Sequence, residues 1–259
     1  MRARARVVVE LGSDGRSTVR ELRSQPPLAL VPQRGATAAR SPVATVHMVG
    51  SATSPLGGDD VGLDVEVGPG ADLVLTGVAA TLALPGQAGR PSRLVVRLRV
   101  ADGAGLQFLP EPTVVTGRAD HHGELHVDLG AGSRLRCREV LVAGRSGEPS
   151  GRFRGLVRVQ DGGRPLLVQE QELGDSTLQA SAAHLAGRRV LGTEVLVWGD
   201  DPAGAVAGDW WSLSPLASRG CLASAVGSNA VSAQRALADA VAAHPGWSAA
   251  VLGTATAVR

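Results

Sequence analysis

Apolar residues alternate with polar or small ones at a period of two through most of the chain. Val61-Gly-Leu63-Asp-Val65-Glu-Val67 shows it most cleanly, and one buried face of a strand is the simplest cause. Comparable segments lie at Arg6 to Leu11, Ser17 to Leu22, Leu28 to Val31, Thr45 to Val49, Asp72 to Leu75, Leu94 to Val100 and Leu106 to Leu109. The series continues with Leu125 to Leu129, Leu135 to Val142, Phe153 to Val159, Leu166 to Leu173 and Val190 to Trp198. Glycines, 34 in all, fall between these segments, and glycine supplies the positive φ of tight turns. The reading is therefore many short strands joined by turns.

Three units look alike: VEVGPGADLVL from Val65, LRVADGAGLQFL from Leu98 and HVDLGAGSRLRCREV from His126. Aligned on Leu73, Leu106 and Leu135, they recur at spacings of 33 and 29 residues. RVQDGGRPLLVQEQEL from Arg158 continues the series more loosely. A repeat of this period predicts helically stacked β-strands, a coiled β-sandwich or β-helix-like arrangement; a glycine-rich antiparallel meander is the alternative. One segment has helical spacing: after Ser228-Asn229, Ala230, Ala233, Leu237 and Val241 share a face, and His244-Pro245-Gly246 ends it. Ser176 to Leu185 is a second helical candidate. Glycine and proline are spread evenly, so residues 1–259 read as one mainly β domain with one or two C-terminal helices.

A hydrophobic content of 44% against 19% charged residues supplies a real core and excludes disorder. All 26 basic residues are arginine, and tyrosine is absent. Without lysine there is no phosphate-loop ammonium, no Schiff base and no kinase-type lysine. The net charge of +2, the scattered arginines and only two phenylalanines and four tryptophans argue against a nucleic-acid platform. Cys137 and Cys221 are too few for a disulfide framework or a paired-cysteine zinc module and read as buried thiols. MRARARVVVELGSD reads as a strand rather than an export signal, and Ala240 to Val258 is too polar to span a membrane. The expectation is a cytoplasmic protein.

Candidate chemistry is sparse. His122, Glu124 and His126 would share a strand face, and two imidazoles with a carboxylate suit nickel or zinc; a cupin-like metalloenzyme built on them is one reading, an exposed polar face the other. No Gly-x-Ser-x-Gly elbow occurs. Asp59, Asp60, Glu111, Glu139, Glu170 and Glu172 lie in or beside apolar strand segments, where a charge needs an arginine, water or a metal.

Several segments, in order, resemble the urease accessory protein family UreD, also called UreH. Ser54-Pro-Leu-Gly57-Gly58-Asp59 is similar to that family's Gly-Gly-Asp turn, and Leu63 to Ala71 with Leu73 to Thr81 resembles its double strand. Leu106-Gln-Phe108-Leu109-Pro110-Glu111-Pro112 resembles its Leu-Pro-acid segment. Arg138-Glu139-Val140-Leu141-Val142-Ala143-Gly144-Arg145, then Gly151-Arg-Phe153, resembles its Glu-Val-Leu-x-x-Gly-Arg stretch. The resemblance implies a non-enzymatic scaffold or chaperone in urease maturation, binding apo-urease and UreF, with UreG docking through UreF to deliver nickel. It also implies a water-filled passage for nickel, which would be bound only transiently, with no tight cofactor. Asp59, Asp60, Glu111 and Glu139 are the expected oxygen ligands along such a route, His122, Glu124 and His126 the weaker candidates. The helix from Asn229 to His244, with Trp247, is expected to face UreF.

Overall fold

The three glycine-centred units stack directly on one another. In the computed structural model, which describes residues 1–86 and 89–247, Leu106 is the register partner of both Leu73 and Leu135. Each unit leaves one sheet, turns at a glycine and enters a second sheet. Gly70, Gly103 and Gly132 take φ of 67°, 65° and 62° in these turns, a backbone region that favours glycine.

The first sheet contains β1 (Arg2–Leu11), β2 (Ser17–Arg23), β5 (Asp60–Val67), β8 (Ser92–Val100), β11 (Asp120–Leu129), β13 (Arg152–Asp161) and β14 (Arg164–Leu173). Its order is β14-β13-β11-β8-β5-β1-β2, parallel from β1 through β13 with an antiparallel strand at each edge. The second sheet contains β3 (Leu28–Pro32), β4 (Ala44–Gly50), β6 (Asp72–Gly77), β9 (Gly105–Leu109), β12 (Arg134–Ala143), β15 (Val190–Val197), β16 (Val206–Gly208), β17 (Trp211–Pro215) and β18 (Cys221–Gly227). Short strands β7 (Thr81–Ala83) and β10 (Thr113–Val115) join it beside β12. Because β5, β8 and β11 alternate in sequence with β6, β9 and β12, the chain coils around the space between the sheets. That space is filled by Val7, Leu63, Val65, Leu98, Val127 and Val159 from one side and Val46, Leu75, Leu106, Phe108 and Leu135 from the other.

The fourth, looser unit does not continue the coil. Gly162 and Gly163 both take positive φ, 55° and 79°, the geometry of a tight hairpin turn. β14 therefore folds back antiparallel on β13 within the same sheet, instead of crossing to the other one.

Charge accompanies this order. On the outer face Arg6, Asp64, Arg97, His126 and Arg158 lie side by side across β1, β5, β8, β11 and β13, and Arg2, Asp60, Arg93, His122, Arg154 and Glu172 form a second row. Pairs such as Arg6–Glu66 at 2.8 Å and Arg93–Glu124 at 2.7 Å link neighbouring strands. Exposed pairs add at most about 1 kcal/mol each, so their main effect is to disfavour arrangements that set like charges together.

Three helices complete the described residues' regular structure: α1 (Ala36–Arg40), α2 (Ser176–Ala180) and α3 (Ala230–Ala242). The Asn229 side chain accepts from the Ser232 amide at 2.9 Å and caps α3. Ala233, Leu237, Ala240 and Val241 are buried against β15, β17 and β18, whereas Ala230, expected on this face, is half-exposed in the first turn. The second helix is shorter than the segment to Leu185: Ser181 turns extended and its hydroxyl accepts the Ala183 amide at 3.2 Å, a local bond that competes with further helix.

Candidate functional site

The two sheets part at the end opposite the glycine turns and enclose a cavity of about 180 Å³. Met48, Leu63, Leu94, Val96, Phe108 and Leu125 form apolar walls; the charged residues that border it are Glu111, Glu124 and Glu139, with Arg138 beside Glu111 at the rim. Alternation along β12 explains Glu139: Leu135, Cys137 and Glu139 point inward, and Arg134, Arg136 and Arg138 point outward. Glu111 follows β9 and stands at the rim, a third exposed, with Arg138 3.8 Å away. Arg138 also donates to the Pro110 carbonyl at 3.1 Å.

Glu139 is the unusual group. It fronts the cavity, so it is half-buried by surface although it lies deep in the protein, and its Oε2 has no hydrogen-bond partner among the described residues. Burial pushes its carboxyl up to about 7, so it exchanges protons near neutrality. Opposite it on β15 sits Thr193, whose hydroxyl accepts from Gln171 Nε2 at 3.3 Å; the same nitrogen donates to Gln169 at 3.3 Å. Gln171 Oε1 and Arg138 Nε are also sealed and unpartnered among the described residues. Such atoms call for water or an ion. A polar line thus runs from Glu111 through Glu139 and Thr193 to Gln171 and the β14 edge. Thr193 and Gln171 escaped the sequence reading because nothing in local spacing puts them opposite Glu139.

The other expected residues lie elsewhere. Asp59 is buried but its carboxylate is occupied by the Met1 ammonium, the Ser54 hydroxyl at 2.8 Å and the Leu56 amide at 2.9 Å. Burial pushes its carboxyl up, yet these bonds outweigh it and hold the group below its ordinary value. Asp60 faces outward and is held below its ordinary value by Arg4, at 3.0 and 3.1 Å. Neither lines the cavity. Glu124 borders it, but its carboxylate accepts from Arg93 at 2.7 and 3.1 Å and meets His126 at 3.2 Å. His122 pairs with Asp120 at 3.3 Å. His121, next to it, is a core residue: burial lowers its pKa to about 4, and Nδ1 meets the Ser92 hydroxyl at 2.9 Å. Trp247 is not an exposed anchor, since it packs on Trp198 at 5.0 Å with Arg136 4.6 Å above its ring.

A family model described as "UreD urease accessory protein" matches residues 1–259. The chain belongs to the UreD family. It is 54% identical to "Urease accessory protein UreD 1" of Saccharopolyspora erythraea over 95% of this chain and 96% of that protein. It is also 42% identical to "Urease accessory protein UreD" of a Parafrankia strain (92% of this chain, 86% of that one), and 37% identical to that of Streptomyces coelicolor (93% and 96%). These relatives are named as accessory proteins, not as enzymes. The segments that carry the UreD resemblance meet at the cavity: Ser54 and Pro55, then Phe108, Pro110 and Glu111, and Arg138 to Val140 all border it.

The raised Glu139 carboxyl has a thermodynamic consequence. A folded-state value of about 7 against an ordinary 4.5 means that the folded protein binds this proton more tightly than the unfolded chain. Stability is therefore lost as pH rises between these two values and is level above them. Glu139→Gln removes the loss. In urea unfolding the variant should gain on the wild type with rising pH, by up to about 3 kcal/mol at pH 8, less where cavity water eases the ionised form. A constant difference across that range would mean that the carboxyl is solvated.

Proposed function

We propose that this chain is a non-enzymatic scaffold of urease maturation that holds apo-urease and UreF, reaches UreG through UreF, and passes nickel through its interior. The carrying observation is the Glu139 carboxyl, whose Oε2 has no partner among the described residues, set between largely apolar walls in a cavity on which the UreD-like segments converge. Nickel is cargo here, and cargo must leave. A single carboxylate that also binds a proton near neutrality holds a divalent ion weakly, and apolar walls leave the ion its own water shell. Glu111 at the rim and Thr193 and Gln171 beyond Glu139 extend the oxygen ligands along one line. Asp59 and Asp60 are better read as structural groups, because their oxygens are already used.

A metalloenzyme on His122, Glu124 and His126 is less well supported, because Arg93 holds the carboxylate that such a centre would need. We read the protein as cytoplasmic and acting as one domain; among the described residues no helix is long and apolar enough to cross a membrane. Expression of the tagged chain with the urease structural and accessory subunits tests the scaffold role. Urease subunits and UreF should co-purify with it, and their absence under conditions that yield active urease would overturn the reading.

A further inference from the structure

Three side chains of metal-ligand type, from three separate elements, meet at the glycine-turn end of the sandwich, away from the cavity. Asp201 follows β15, Cys221 opens β18 and His244 follows α3. One ligand atom of each lies within 4.8 Å of the others. His244 Nε2 is 3.2 Å from Asp201 Oδ1, and Cys221 Sγ donates to the same oxygen at 3.7 Å. Donor atoms around a tetrahedral zinc-type ion, with bonds of about 2.0–2.3 Å, stand roughly 3.3–3.8 Å apart, so little movement is needed.

The packing around the cluster is specific. Asp201 Oδ2 accepts the Gly220 amide at 2.6 Å, which fixes the carboxylate. The Gly246 amide donates to the Asp200 carbonyl at 3.0 Å and brings the segment after α3 against the loop that carries Asp201. The imidazole is fully enclosed, and its Nδ1 has no partner among the described residues. A second hollow, of about 320 Å³ and bordered by Ser133, Asp201, Arg219 and Gly220, adjoins the cluster and leaves room for a further ligand. Arg219 adds no free charge there, because Asp161 accepts from it twice at 2.7 Å.

We propose that Asp201, Cys221 and His244 bind one divalent transition-metal ion of the zinc type, at a site distinct from the nickel route. One thiolate, one imidazole and one carboxylate are borderline to soft donors, which favour zinc, cobalt or nickel over magnesium or calcium. Their two negative charges balance the ion's two positive ones. On binding, the Cys221 Sγ–H proton is released to solvent, the His244 Nε2–H hydrogen that faces Asp201 Oδ1 shifts through solvent to Nδ1, and sulfur–metal and nitrogen–metal bonds replace the two hydrogen bonds to Asp201; no group changes oxidation state. The bound ion staples the segment after α3 to the ends of β15 and β18.

The test is a titration of the metal-free full chain with Co²⁺, a spectroscopic stand-in for Zn²⁺, followed by thiolate-to-cobalt charge-transfer absorption. The wild type and Cys137→Ser should bind one equivalent with that band, Zn²⁺ should bleach it, and Cys221→Ser should lack it. His244→Gln and Asp201→Asn probe the site without touching the thiol, and each should weaken Co²⁺ binding by at least about tenfold. A wild type without the band, a band that survives Cys221→Ser, or unchanged affinity in both other variants would overturn the proposal.

Discussion

Replacing Arg136 by Met is expected to destabilise the protein by about 3–5 kcal/mol, because it takes the hydrogen-bonding partner from a buried carboxylate that Arg138 then meets only at longer range. Glu194 on β15 is 1% exposed and forms an ion pair with Arg136, itself 17% exposed. Both point to the outer face of the second sheet, and α3 packs against β15 and β18 there. The same guanidinium lies over the Trp247 ring, so its loss also loosens the Trp198–Trp247 contact. Breaking a sealed pair costs more than the pair contributes, since the remaining charge keeps its desolvation penalty. Arg136→Met with Glu194→Leu should therefore recover much of the stability lost in the single variant. Urea unfolding of the two variants checks this; a single variant within about 1 kcal/mol of wild type would mean that water reaches the pair.

Leu106→Ala should cost about 2–5 kcal/mol and lower Tm by roughly 10 °C. Leu106 is fully buried between its register partners Leu73 and Leu135, so truncation leaves a void in the middle of the stacked units. Val168 offers the contrast: it belongs to the looser fourth unit, yet on the returning strand β14 it is 58% exposed. Val168→Ala should shift stability by no more than about 0.5 kcal/mol. Comparable losses at the two positions would mean that the coil continues through the fourth unit, against the hairpin at Gly162-Gly163.

Most of the coil was legible in the sequence because the leucines that align at 33 and 29 residues are the ones that stack. Strand β11 was read from Leu125, but it begins at Asp120, since a run of histidines and a glycine hides its alternation. β18 was missed altogether. CLASAVG has weak strand propensity, but small residues let α3 lie close: a Cβ on Gly227 would stand 2.7 Å from the Ala233 nitrogen. At the candidate site, Glu139 could be placed inward because its own strand alternates. Asp59 could not, because a turn folds its carboxylate back onto Ser54 and Leu56. Thr193 and Gln171 meet Glu139 only through pairings between distant strands. Cys221 read as an ordinary thiol for the same reason, since Asp201 and His244 reach it from 20 and 23 residues away.

In the maturation role proposed above, nickel passes the interior carboxylate of Glu139. The direct measurement is the rate of urease activation at limiting nickel, with Glu139→Gln, Glu111→Gln and the outer-face control Glu172→Gln in place of the wild-type chain. All four proteins should assemble equally with the urease components. Glu139→Gln should activate several-fold more slowly, Glu111→Gln less so and Glu172→Gln not at all, with the differences closing at saturating nickel. Activation at the wild-type rate by both Glu139→Gln and Glu111→Gln at limiting nickel would rule out passage past these carboxylates and leave the protein a scaffold alone.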